Sequence, residues 1–539
     1  MDNTLPLLVE DLSFRYRDRQ ELAIADISLR LDPGEILLVA GPSGCGKTTL
    51  ARCINGLIPR SYKGERGGEI LLSGQDTTSM SLARISQFVG TVLQDPERQI
   101  LGTKVINEVA FGLENKGIQR AEILARAESA MHRLRIIHLR DRETFNLSGG
   151  EKQKVALAGV LAMEPRVLML DEPLASLDPA SAQEALSMIR NLADEGMAVL
   201  IIEHRVEDVL SIHPDRMIFM QDGRIRYDGP TAEMDQAVDQ KQVKLPARIV
   251  MQRAAAEPPQ PFIEPKLKPS KIHQDPLVRF DDVGFGYEGG PEVLHAISME
   301  IHAGDIVAVL GPNGAGKTTL VKQAIGLLKP TSGSVSVGGR DSSEMSVAQV
   351  ATSLGYVFQS PSHMLFAPSV REELRFGPKN LGYSDDVIEE EVQKAIDTMN
   401  LSGMEDDSPL ALSFGQQKRV SIAAVLSMRS KILVMDEPTA GQDYRNYMDF
   451  MDTILQLPYF EAILFITHDL DLAVVYANRV LLMSEGTLIA DGPPQEVLVD
   501  YERLQQCRVK PTSLLDLNLE TFERTGRFLR AEALAHALS

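Results

Sequence analysis

The sequence contains no tryptophan, only three cysteines, and aromatic residues at 5% of its length. Cys45, Cys53 and Cys507 are too few and too scattered for a disulfide framework or an iron–sulfur centre, so a reducing compartment fits them. Long hydrophobic runs are also missing. Stretches such as VLML (167–170) and AVLII (198–202) suit buried strands and fall far short of the roughly 20 apolar residues that span a bilayer. Basic residues are in deficit: 55 Lys and Arg against 75 Asp and Glu give a formal net charge of −20. Such a charge repels polyanions, which weakens broad nucleic-acid contact as the main role while leaving room for a local basic patch, and no nucleic acid is expected as a partner. The first residues, MDNTLPLLVED, carry acids early and lack the basic start of a signal peptide. Any membrane role is therefore expected to come through a partner.

What is present is apolar material for cores, 44% of 539 residues, in a chain too long for one ordinary domain. A repeat accounts for it. GPSGCGKTT at Gly41 to Thr49 returns as GPNGAGKTT at Gly311 to Thr319, and further matches follow in the same order in both halves. Between the halves, AAAEPPQPFIEPKLKPS (254–270) is rich in proline and lacks apolar periodicity, as an extended linker does. The expected organisation is a first domain at 1–235, a linker at 236–275, a second domain at 276–500 and a helical, amphipathic C-terminal extension at 501–539. Within each half, short apolar runs end in glycines or carboxylates and lead into helix-like stretches. This alternation predicts an α/β fold with a mainly parallel sheet flanked by helices, and ligands at the carboxyl ends of the strands.

The motifs fall at those ends. EILLVA (35–40) runs into G-x-x-x-x-G-K-T and then a helical stretch, the strand, loop and helix order of a phosphate-binding loop. Gly41, Gly44 and Gly46 let backbone amides approach phosphate oxygens, Lys47 supplies a point charge, and Thr48 offers a hydroxyl for magnesium. Gly311, Gly314, Gly316, Lys317 and Thr318 repeat each part, and Thr49 and Thr319 follow. VLMLDEP places Asp171 and Glu172 at a strand end, and ILVMDEP does the same with Asp436 and Glu437. The aspartates would orient the magnesium shell while the glutamates polarise an attacking water. The competing reading, that these acids merely cap the next helix, is weakened by the phosphate loop in the same half. A further strand ends in His204, and its repeat in His468, where a neutral imidazole would meet the terminal phosphate and hold the water in line.

LSGGEKQ (147–153) opens a helix, with Ser148 and Glu151 in the S-x-x-E capping pattern, and LSFGQQK repeats it with Ser413 and Gln416. Together with the phosphate loop, the strand-end acids and the histidine, in this order, the chain resembles the ATP-binding cassette family over nearly its whole length. The resemblance implies two tandem nucleotide-binding domains, each with a helical signature subdomain, and ATP with Mg2+ as ligands. It further implies that Gln94 and Gln359 belong to nucleotide- and metal-contacting Q-loops, Asp178 and Asp443 to D-loops, and Tyr16 and Tyr287 to adenine stacking; core aromatics are the alternative for the tyrosines. It also implies head-to-tail pairing within the chain. Lys47, Glu172 and His204 would then share a site with Ser413 and Gly415, and Lys317, Glu437 and His468 with Ser148, Gly149 and Gly150. Phe414 replaces the first signature glycine in the second half.

The flanks of the Q-loops, LQDPERQIL and FQSPSHMLF, are similar to those of the ATPases of energy-coupling-factor importers, with Pro96 and Gln99 as the matching residues and Met364 as a departure. This resemblance implies an ATPase motor on the cytoplasmic face of the membrane, driving a transmembrane T component and a substrate-binding S component. The solute would be a vitamin, a vitamin precursor or a transition-metal ion. The alternative is a ribosome-associated F-subfamily protein, whose members resemble each other in a longer, basic, helical linker.

Overall fold

The structure is a computed structural model that describes residues 5–174, 177–236, 238–239, 242–258, 267, 275–439, 444–457 and 459–538, with the backbone alone at 236 and 444–446. It divides into two compact units, Met1–Leu245 and Pro246–Ser539.

In the first unit the apolar runs form a six-stranded sheet in the order Arg224–Pro230, Arg216–Gln221, Ile36–Ala40, Ala198–Ile202, Val167–Asp171, Val89–Val92. All neighbours are parallel except the first pair. Ile36–Ala40 and Ala198–Ile202 are buried along their full length, which is why they read as unbroken apolar runs and not as alternating ones. The second unit repeats the sheet around Ile306–Leu310, with Ile432–Asp436, Ala462–Ile466 and Arg479–Ser484 as its other inner strands. Helices flank both sheets, and in each unit three of them form a separate helical layer: Val105–Glu114, Arg120–Arg133 and Gly149–Ala162, and then Val370–Asn380, Asp385–Thr398 and Phe414–Ser427.

Each unit also holds an antiparallel sheet that the single-sheet expectation omits. In the first unit it runs Ile24–Leu31, Leu7–Tyr16, Gly64–Leu72, Gln75–Asp76, and in the second Glu292–Ile301, Val278–Gly286, Ser332–Val337, Arg340–Asp341. Its inner face joins the parallel sheet in one core, as Leu7, Phe14 and Ile27 pack with Val39 and Leu50.

The linker expected at 236–275 needs correction in its described part. Val238, Val243 and Leu245 are buried in the first unit, and Ala247–Ala254 is a helix of the second unit packed against Ser513–Thr525 and Ala531–Leu538. Val250 and Ala254 supply its apolar side, and Arg248 bonds Glu520 at 2.5 Å. Most of the proline-rich stretch, and Asp443, lie outside the described residues. Within the stretch expected as an extension at 501–539, Tyr501–Gln506, Ser513–Thr525 and Ala531–Leu538 are helices.

Candidate functional site

In both units the phosphate loop follows the central strand and ends on a helix, Lys47–Ile54 or Lys317–Ala324, whose N-cap glycine offers no side-chain cap to the first amides. A helix start of this kind presents its first amides to an anion. Gly41 has φ 151° and Gly311 has φ 147°, and a Cβ on either would come within 2.2 Å of the carbonyl oxygen of Met220 or Met483. No other residue fits there. The Lys47 ammonium donates to the carbonyls of Gly41 and Pro42 at 2.8 and 2.9 Å, and Lys317 to Gly311 and Pro312 at 2.7 and 2.9 Å. Both lysines arch back over their own loops.

The tyrosines stand beside these helices. Tyr16 Oη lies 3.1 Å from Thr49 Oγ1, and Tyr287 Oη 3.4 Å from Thr319 Oγ1. Tyr16 ends its strand, whereas Tyr287 falls one residue past Val278–Gly286. Each packs edge-on against a buried phenylalanine, Phe14 or Phe285.

The acids are held by the strands beside them. Glu172 and Glu437 have φ of 50° and 46°, left-handed values that a residue with a side chain keeps only when its surroundings enforce them. Their amides donate to Ile202 and Ile466, whose strands lead to the histidines. His204 Nε2 then lies 3.0 Å from Glu172 Oε1, and His468 Nε2 3.2 Å from Glu437 Oε1. In the first unit Gln94 Nε2 donates to Glu172 Oε2 at 2.7 Å, so Gln94, Glu172 and His204 form one cluster. Gln359 is exposed, and among the described residues it makes no such bond to Glu437.

The second unit compensates with groups that sequence reasoning missed. Thr318 Oγ1 and Tyr356 Oη both donate to Asp436 Oδ2, at 3.2 and 2.9 Å. Lys418, on the signature helix, donates to the carbonyls of Glu437 and Pro438 at 3.3 and 2.5 Å. In the first unit Gln153 takes that place and bonds Pro173 O. Glu203, also missed, is buried beside His204 and accepts from the amides of Leu174, His204 and Arg205 at 3.2, 2.8 and 3.1 Å. Nothing local in Tyr356 or Lys418 announces these roles, because the partners are remote in sequence. Glu203 had a signal: a carboxylate directly between an apolar strand, Ala198–Ile202, and the histidine.

Electrostatics separate the two units. Burial, with the neighbouring Glu172 charge, pushes Asp171 up to about 6. Burial also pushes on Glu172, but its bond to His204 and the charges of His204 and Lys47 win and hold it below the usual range. Glu437 goes the other way, raised to about 8 by burial and Asp436 against the pull of Lys317. Burial drives Lys418 down to about 7, with Glu437 opposing.

Both signature helices carry complete capping boxes. Ser148 and Glu151 bond reciprocally, as do Ser413 and Gln416. The Phe414 ring turns back over Lys418, with 5.3 Å between the ammonium and the ring centre. Asp178 caps Pro179–Asp194 through Ser181 and is buried. Among the described residues no cluster of three or more His, Cys, Asp or Glu side chains forms a metal site. The adjacent Thr318 hydroxyl and Asp436 carboxylate are hard oxygen donors of the kind magnesium takes when it arrives with phosphate oxygens. The residues therefore fit it.

With this geometry in place, comparison with known proteins gives a consistent result. A protein-family model described as "ABC transporter" matches residues 24–175 and again 294–440. A protein of Methanosarcina mazei named "Putative ABC transporter ATP-binding protein" is 35% identical, with 97% of this chain and 95% of that one aligned. One of the same name from Streptococcus pneumoniae is 37% identical over 94% of each chain. The solved structure of cbiO1 from Clostridium perfringens, described as part of the ABC transporter complex cbiONQ, aligns with 46% of this chain and 100% of its own, at 33% identity and a TM-score of 0.40.

Proposed function

The chain belongs to the ATP-binding cassette family and is a tandem ATPase, and from that premise we propose that it is the motor of an energy-coupling-factor-type importer for a micronutrient. In this reading ATP binding and hydrolysis at two composite sites drive T and S membrane components from the cytoplasmic face. Glu172 and Glu437 polarise the attacking water, and His204 and His468 hold it in line with the terminal phosphate. Thr48 with Asp171, and Thr318 with Asp436, would hold magnesium, which neutralises charge on the phosphates when bound.

One observation carries the transporter reading: beside each Q-loop the two units expose large apolar side chains at the same two positions of the repeat. Leu101 and Phe111 are 69% and 44% exposed, and Phe366 and Phe376 are 61% and 51% exposed. The second pair stacks edge to face, 4.7 Å between centres. A buried glutamate fixes each loop, Glu108 accepting from the amides of Leu101 and Gly102, and Glu373 from those of Phe366 and Ala367. Rigid, duplicated apolar knobs on an acidic chain suit an apolar helix of a partner. Among the described residues no helix is long and apolar enough to cross a membrane.

The test is purification from membranes of cells that also make the membrane proteins encoded beside it. The chain should co-purify with a polytopic partner, and Leu101→Asp with Phe366→Asp should release it while its own ATPase remains. Sedimentation with ribosomes, and not with membranes, would favour the F-subfamily alternative.

A further inference from the structure

Among the positions at which the signature helix Phe414–Ser427 differs from its counterpart Gly149–Ala162 are two on one face, Phe414 for Gly149 and Lys418 for Gln153. The two departures touch. Four residues apart on a helix, they bring the Phe414 ring to 5.3 Å from the Lys418 ammonium, an attractive arrangement for a cation on an aromatic face. Lys418 is 1% exposed, and its ammonium bonds the carbonyls of Glu437 and Pro438. A buried ammonium persists only where such partners offset its desolvation.

The turn it grips is the one that aims the acid. Glu437 sits in a left-handed conformation, and the bond that Gln94 gives Glu172 in the first unit has no equivalent on Glu437 among the described residues. The first unit therefore steadies its acid by the side chain, through Gln94 and His204, and needs only one amide, that of Gln153, on the turn. The second unit also holds its acid by the histidine, His468, whose amide donates to Glu437 Oε2 at 3.3 Å and whose ring lies 3.2 Å from Oε1, and in place of the glutamine it adds two bonds from one cation to the backbone. We propose that Phe414 and Lys418 act as a pair of positioning residues for Glu437, the ring holding the ammonium in place and the ammonium holding the Glu437–Pro438 turn. Phe414 is then more than a lost glycine. It is the roof of a support for the acid of its own cassette.

The inference rests on the ATPase reading with two hydrolytic centres, and its test isolates one of them. In a Glu172→Gln chain, turnover comes from Glu437, and whatever Phe414 does as a signature residue for the other nucleotide no longer registers. In that background Lys418→Met should lower kcat about tenfold with the ATP KM within about twofold, the pattern of a misaimed group and not of weakened binding. Lys418→Gln, which restores the donor used in the first unit, should recover to within about threefold of the parent. Phe414→Gly should slow the Lys418 chain about threefold and leave the Lys418→Gln chain unchanged, because a neutral amide gains nothing comparable from the ring. An unchanged kcat in Lys418→Met, or a raised KM at unchanged kcat, would overturn the proposal, and so would equal slowing by Phe414→Gly in both backgrounds. If thermal melting shows that Lys418→Met does not fold, the Phe414→Gly comparison decides alone. A Glu172→Gln parent without any turnover would contradict the two-centre reading itself, and this inference would fall with it.

Discussion

Lys47 and Lys317 each rest on two carbonyls of their own loop, within reach of any phosphate that the loop amides hold. Removing either ammonium takes away one clamp and leaves the other unit intact. We expect equilibrium dialysis to give two Mg-ATP per wild-type chain, and close to one for Lys47→Ala or Lys317→Ala. One nucleotide per wild-type chain would count against two complete sites. The cysteines make a second residue-scale prediction. Burial raises Cys45, Cys53 (to about 12) and Cys507, so the native chain should react slowly with a thiol reagent at pH 8, and all three should react after denaturation. A thiol that reacts at once in the native chain would contradict that burial. The phosphate loops, strand-end acids and histidines were legible in the sequence because their chemistry is local: a strand, a turn and a few consecutive residue types. Tyr356 and Lys418 were not, since Tyr356 meets Asp436 across neighbouring strands and Lys418 meets Pro438 from a helix. Phe14 and Phe285 are buried, while Tyr16 packs against the core with its hydroxyl beside Thr49 and Tyr287 is exposed beside Thr319, so both readings of the tyrosines, core aromatic and adenine stacking, stay open.

At the scale of elements, the C-terminal helices show how a buried polar group fixes a turn. Asn518 is fully buried; its amide donates to Leu514 O and Leu529 O at 2.9 Å each and accepts from Leu529 N at 2.7 Å. Asn518→Leu would leave the Leu529 amide and carbonyl without partners, so we expect about 2 to 3 kcal/mol of lost stability in denaturant unfolding of the second unit. A loss under about 0.5 kcal/mol, the range of ordinary surface changes, would contradict the role. Glu391 adds a pH-dependent case. Burial would raise it, but its bonds to Arg429 and Lys394 prevail and lower it. A carboxylate lowered on folding adds stability that is complete above its ordinary value and lost as the pH falls through the folded one. Glu391→Gln should therefore cost about 1 kcal/mol at pH 7, discounted because Arg429 and Lys394 are half exposed, and almost nothing near pH 3. A cost that does not change with pH would contradict this. Helices and strands were readable from apolar runs and capping residues, as Ser148 and Ser413 illustrate. The Ala247–Ala254 helix was not, because only eight residues long and followed by prolines, it owes its order to the C-terminal helices it meets far along the chain.

Across the whole molecule, the duplication is close in backbone and unequal in chemistry. Both units have the same two sheets and the same helical layer, yet one acid is bonded by a glutamine and lies below its usual range, and the other is raised to about 8 above a lysine-gripped turn. The repeat itself was plain in the sequence; the inequality showed only at single residues such as Met364 and Phe414, and the partner of Phe414 lies in the fold. Ser413, Gly415 and the capping box with Gln416 are intact, and Phe414 turns its ring toward Lys418, so the substitution leaves a normal helix start. Two working hydrolytic centres therefore remain the expectation, and losing the general base should cost the affected centre about 10² to 10⁴ in rate. The most direct measurement is the steady-state ATPase rate of Glu172→Gln beside that of Glu437→Gln. Two working centres predict that each variant is slower than the wild type and that neither is dead; a Glu172→Gln chain at the full wild-type rate beside an inactive Glu437→Gln chain would contradict them.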